Sequence, residues 1–134
     1  MKKAFGLTVT MFLALANNAS AIERYDCDLA ARGGGGFVGS KSIFLLDRIT
    51  GAGAVMDGIT RTVSDKPVTA DISKRNDAIW IFRWGLKRVP TANGTASLRY
   101  RAMLNTASGR LSLTGFIAGY DNHIGGSGTC KRVK

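Results

Sequence analysis

Apolar and polar residues alternate with a period of two along most of this chain, as in strands with one buried face. The strongest case is the stretch 78–87. Ala78, Trp80, Phe82, Trp84 and Leu86 fall on one face; Ile79, Ile81, Arg83, Gly85 and Lys87 fall on the other. Tyr25, Cys27 and Leu29 alternate with Arg24, Asp26 and Asp28. Val68, Ala70 and Ile72 alternate with Thr69, Asp71 and Ser73. Leu98, Tyr100, Ala102 and Leu104 alternate with Ser97, Arg99, Arg101 and Met103, and Leu111, Leu113, Gly115 and Ile117 with Ser112, Thr114 and Phe116. Further strands are expected over Phe37 to Asp47 and Gly53 to Ile59, with a short closing strand over Thr129 to Arg132.

Turn residues punctuate the pattern. Arg75-Asn76-Asp77, Asn93-Gly94 and Thr106-Ala107-Ser108-Gly109 separate the strands, and Pro90 is expected to end the strand before it. Gly33 to Gly36 and Gly119 to Gly128 read as glycine-rich loops. Roughly eight short strands without a helical stretch predict a single all-β domain, an antiparallel β-barrel or sandwich.

Register follows from the same alternation. If Trp80, Phe82 and Trp84 share the core with Leu98, Tyr100 and Leu104, the hairpin centres near Ala92. Arg83 then faces Arg101, and Gly85 faces Arg99. On the next hairpin Leu104 meets Leu111, which sets Arg101 beside Thr114 and Arg99 beside Phe116. Arg83, Lys87, Arg99 and Arg101 are thereby expected on one outer patch. Like charges opposite each other cost stability, so this patch is the leading candidate for an anion-binding surface. A solvated charged face is the alternative. Trp80, Trp84 and Tyr100 fall on the opposite face and belong to the core rather than to a base-stacking platform.

The first residues change the setting. Lys2-Lys3, an apolar run from Ala4 to Ala16 and the small-x-small site Ala19-Ser20-Ala21 follow the order of a secretory signal. The run of about 13 residues is shorter than the roughly 20 a membrane span requires. Cleavage after Ala21 gives a signal over 1–21 and one exported domain over 22–134, in the periplasm or outside the cell. Two of the 19 basic residues leave with the signal; the remaining 17 stand against 9 acidic ones, a net charge of +8.

Export means an oxidising compartment, where the chain's two cysteines, Cys27 and Cys130, are expected to form one disulfide. That bond closes nearly the whole domain. A loop of about 100 residues is worth roughly 4–5 kcal/mol in the chain-entropy model.

Other chemistries find little support. Asp121, His123 and Ser127 share one loop, but a catalytic triad also needs a buried acid, an oriented imidazole and an oxyanion hole. Two distant cysteines and one histidine make a poor metal set. The stretch Gly34 to Ser42 lacks the lysine directly after glycine that a phosphate-binding loop requires. Glu23 is the only glutamate, and no carboxylate pair stands out for hydrolysis. The expectation is a non-enzymatic protein with no catalytic residues, metal or cofactor.

At Arg24-Tyr25-Asp26-Cys27, Leu98-Arg99-Tyr100-Arg101, Gly119-Tyr120-Asp121-Asn122 and Gly128-Thr129-Cys130-Lys131-Arg132, the chain resembles a set of small exported bacterial proteins with no assigned activity. The end-to-end cysteine layout is distantly similar to that of small periplasmic lysozyme-inhibitor barrels. C-type lysozyme is itself basic, however, and would repel a +8 partner at long range. Two functions therefore compete: binding of an anionic envelope polymer or lipid through the arginine face, and service as an inhibitor or accessory module docked on another exported protein. No nucleic-acid motif is specific enough to add a third, and no run after the signal is long enough to cross a membrane.

Overall fold

The alternating segments close into one barrel. The computed structural model describes residues 21–33, 35–120 and 123–134. The signal expected over 1–21 therefore lies, apart from Ala21, outside the described residues. Eight strands run in sequence order: β1 (Ile22–Ala31), β2 (Lys41–Asp47), β3 (Ala52–Asp57), β4 (Val68–Lys74), β5 (Ile79–Thr91), β6 (Gly94–Asn105), β7 (Arg110–Ile117) and β8 (His123–Val133). Each pairs antiparallel with the next, and β8 pairs with β1 to close the barrel. Two single 3-10 turns, Gly35–Phe37 and Thr60–Thr62, interrupt the loops, and the described residues hold no α-helix.

The inward face of every strand feeds one core. Phe44 and Phe82 are fully buried and meet edge to face, with ring centroids 5.0 Å apart. Trp84 packs edge-on against Phe44 at 5.8 Å and stacks on Tyr100 at 5.2 Å. Offset and edge-on aromatic contacts of this kind add about 0.5–1.5 kcal/mol each beyond their area burial. Leu46, Val55, Leu98, Leu104 and Ile124 complete the packing from β2, β3, β6 and β8.

Cys27 and Cys130 are direct cross-strand partners on β1 and β8, bonded and with Cα atoms 4.0 Å apart. The disulfide thus sits on the seam where the first strand meets the last. Glycine makes that seam possible. A Cβ on Gly128 would lie 1.7 Å from the Asp28 carbonyl oxygen, so a side chain there would push β8 off β1. This corrects the expectation of a glycine-rich loop over 119–128. From His123 onward the segment is strand, and its glycines serve close approach rather than flexibility.

Two other boundaries differ from expectation. Phe37 lies in a 3-10 turn and β2 begins only at Lys41. Pro90 does not end β5, which runs on to Thr91 through a register shift between Leu86 and Val89. Arg88 takes the left-handed conformation there (φ 60°). Proline is tolerated because β4 pairs with β5 only from Trp80 to Arg83. Beyond that point one edge of β5 faces no strand among the described residues, and no ladder bond there needs an N–H from Pro90.

Polar networks finish both ends. At one end the buried Glu23 carboxylate accepts hydrogen bonds from Tyr25 Oη (2.6 Å) and Arg48 Nε (2.5 Å). Arg48 also donates to the Asp77 carbonyl and to Thr106 Oγ1, and its guanidinium lies 5.5 Å from the Trp80 ring centre. One arginine thereby ties β1 to two turns and covers the aromatic core. At the other end Tyr100 Oη donates to the Phe37 carbonyl (2.7 Å), and Asp57 accepts from the Ile59 and Thr60 amides.

Candidate anion-binding recess

The register of β5, β6 and β7 assembles the outer arginine patch as the alternation implied. Arg83 pairs with Arg101, Gly85 with Arg99, Arg101 with Thr114 and Arg99 with Phe116. Adjacent strands add to both rows. Asp71 of β4 stands beside Arg83, and His123 of β8 stands beside Phe116. The outer surface thus carries one row reading Asp71, Arg83, Arg101, Thr114 and a second reading Gly85, Arg99, Phe116, His123.

These eight residues line one open recess of about 520 Å³. Its floor is the backbone of Gly115 and of Trp84 and Tyr100, whose side chains turn into the core. Three arginine stems rise from an area roughly 7 Å across, given the spacing of strands and of alternate residues along them. Lys87, expected with them, lies in the bulge after Leu86 and is not among the lining residues.

The clustering of cations sets this recess apart. Elsewhere on the barrel some basic residues are matched: Arg24 with Asp26, Lys41 with Asp28, Arg48 and Arg132 with Glu23, and Lys74 with Asp77. Others such as Arg61, Arg110 and Lys131 stand without a salt bridge among the described residues but do not gather as three around one recess. Among the described residues, Arg83, Arg99 and Arg101 have no carboxylate within salt-bridge distance. Arg83 donates instead to Ser73 Oγ at 3.1 Å. A larger recess of about 780 Å³ crosses β8, β1, β2 and β3, but it mixes Asp26, Asp28 and Asp57 with Lys41, Arg61, Lys131 and Arg132. Its signs nearly offset each other, against three arginines and one aspartate in the smaller recess, so it is a weaker place for an anion.

Gly85 shapes the recess. It lies mid-strand without a left-handed φ, and a Cβ built on it would meet only the Leu98 carbonyl oxygen at 3.6 Å, an ordinary contact. The fold does not require glycine at this position. Its effect is to leave bare backbone between Arg83 and Arg99. Phe116 borders the same space, 46% exposed. Phe116 was legible as the register neighbour of Arg99; His123 and Asp71 were not, because alternation alone does not fix how β8 and β4 align on their neighbours.

Tyr100 beneath the recess is no titrating group at neutral pH. Burial, with the Asp57 carboxylate nearby, pushes its phenol far above the ordinary range, so it stays a neutral donor. Of the residues considered for a triad, Asp121 lies outside the described residues, and the other two are not brought together. His123 and Ser127 sit four positions apart on the outer face of β8, roughly 13 Å along the strand. Ser127 faces Ser112 and the outside, beyond reach of the imidazole.

Comparison with protein-family models, with curated proteins and with solved structures gave no match to this chain.

Proposed function

We propose that this protein is a non-enzymatic protein of the bacterial envelope, exported by its N-terminal signal, that binds an anionic partner through Arg83, Arg99 and Arg101. The observation that carries this reading is the gathering of three arginines, none with a carboxylate partner among the described residues, around one recess. Two like charges face each other directly, an arrangement that costs stability. A bound anion offsets that cost, and guanidinium groups suit phosphate and carboxylate because they donate in pairs. The net charge of +8 on the exported domain acts in the same direction by drawing anions to the surface.

Elution from a sulfonated resin tests the reading. Arg99→Ser with Arg101→Ser is expected to elute at clearly lower salt than a control of equal charge, Arg61→Ser with Lys131→Ser. Equal elution of the two would mean that net charge alone drives retention, and the reading would fail.

A further inference from the structure

The recess holds more than positive charge, and the additional groups narrow the ligand. Phe116, a half-exposed aromatic residue, stands beside Arg99. Gly85 leaves a flat, bare stretch of backbone on the other side of Arg99, where a side chain would fit without strain. Glycine weakens a strand interior, and one of the conditions that favours it there is close approach of a ligand. Asp71 and Thr114 border the same space. A carboxylate repels a second anion but accepts hydrogen bonds from hydroxyl groups. The volume of about 520 Å³ falls within the range of sites for single small molecules rather than polymers.

We propose that the recess binds a phosphorylated sugar, as a free sugar phosphate or as a phosphorylated residue of a glycan. This rests on the anion-binding reading above and names its ligand class. The phosphate takes the guanidinium groups of Arg83, Arg99 and Arg101. The sugar ring lies over Gly85 with its apolar face toward Phe116, and its hydroxyls reach Asp71 and Thr114. A bare polyanion uses the arginines alone and leaves Asp71 opposed to it.

Calorimetry at low salt with glucose 1-phosphate, inorganic phosphate and long-chain polyphosphate separates these cases. Glucose 1-phosphate is expected to bind at least about tenfold tighter than inorganic phosphate, a difference of about 1.4 kcal/mol. Gly85→Val, which fills the floor and leaves every charge in place, is expected to abolish that preference and to keep polyphosphate binding. Phe116→Ser, at an exposed position that does not threaten folding, is expected to reduce the preference independently. Equal affinity for the two small ligands in the wild type, or an intact preference in both variants, overturns the sugar assignment while polyphosphate binding preserves the anion reading. Absence of binding to all three ligands overturns both. A phosphorylated oligosaccharide compared with glucose 1-phosphate distinguishes the glycan-bound source from the free one.

Discussion

Arg83 and Arg101 stand directly opposite each other on β5 and β6, and neither has a carboxylate partner among the described residues. Opposed like charges on a sheet cost up to about 1 kcal/mol. Arg101→Thr removes the repulsion with a residue suited to strands. The variant is expected to gain about 0.2–1 kcal/mol in urea unfolding at low salt while losing affinity for anions. The gain should shrink as salt screens the pair. A variant that is less stable at every ionic strength would show that the arginine contributes more by packing than it costs by charge.

Gly85 and Gly128 both sit inside strands, yet opposite outcomes are expected on substitution. Gly128→Ala places a methyl group against the Asp28 carbonyl at the barrel seam and is expected to cost about 1–3 kcal/mol or more. Gly85→Val has room for its side chain and gains strand propensity, a scale that spans about 1 kcal/mol. Its stability should match or exceed the wild type. Thermal unfolding of the two variants side by side provides the comparison.

The Cys27–Cys130 bond spans 103 residues of sequence and staples the one junction, among the described residues, between strands remote in the chain. Replacing both cysteines with Ala is expected to cost about 2–5 kcal/mol, read from the denaturant midpoint. Because the other strand pairs are joined by short connections, the β1–β8 amides should show the largest loss of hydrogen-exchange protection.

Glu23 makes stability depend on acid pH. Burial pushes its carboxyl up, but hydrogen bonds from Arg48 and Tyr25 and the charges of Arg48 and Arg132 outweigh burial and hold it below its ordinary 4.5. A carboxyl depressed in the folded state contributes stability that is complete above the unfolded value and is lost as pH falls through the folded one. Glu23→Gln is expected to cost about 1.5–3 kcal/mol at pH 7, in line with hydrogen bonds to charged groups. The gap from wild type should narrow as pH drops below 4.5. Asp57 acts in the opposite sense. Burial raises its carboxyl, so its contribution is most favourable below the unfolded value and declines as pH rises toward the folded one. Unfolding of Glu23→Gln, Asp57→Asn and wild type between pH 3 and 7 resolves the two.

Much of the architecture was legible because the core signal is two-residue alternation, and a slip of one residue would expose Trp80, Phe82 and Trp84 together. That constraint fixed both hairpins of β5, β6 and β7, and so the arginine rows. The hidden parts have identifiable causes. Glycines in β8 carry no hydropathy signal, so a strand looked like a loop. The bulge at Lys87 and Arg88 lies beyond the end of the β4–β5 pairing, where two-residue alternation carries no signal of a register shift. The Arg48 network joins segments that meet only once the barrel has closed. Asp71 and His123 reach the recess through the β4–β5 and β7–β8 registers, where short or glycine-rich alternation leaves the alignment open.

The location of the anion site is open to direct measurement by nuclear magnetic resonance. Amide shifts of isotope-labelled protein would be followed during titration with short-chain polyphosphate. Saturable shifts are expected at Arg83, Gly85, Arg99, Arg101 and Phe116, with the β1–β8 seam around Lys131 unchanged. Shifts of equal size spread over Lys41, Arg61, Lys131 and the recess alike, without saturation, would contradict an anion site at the recess.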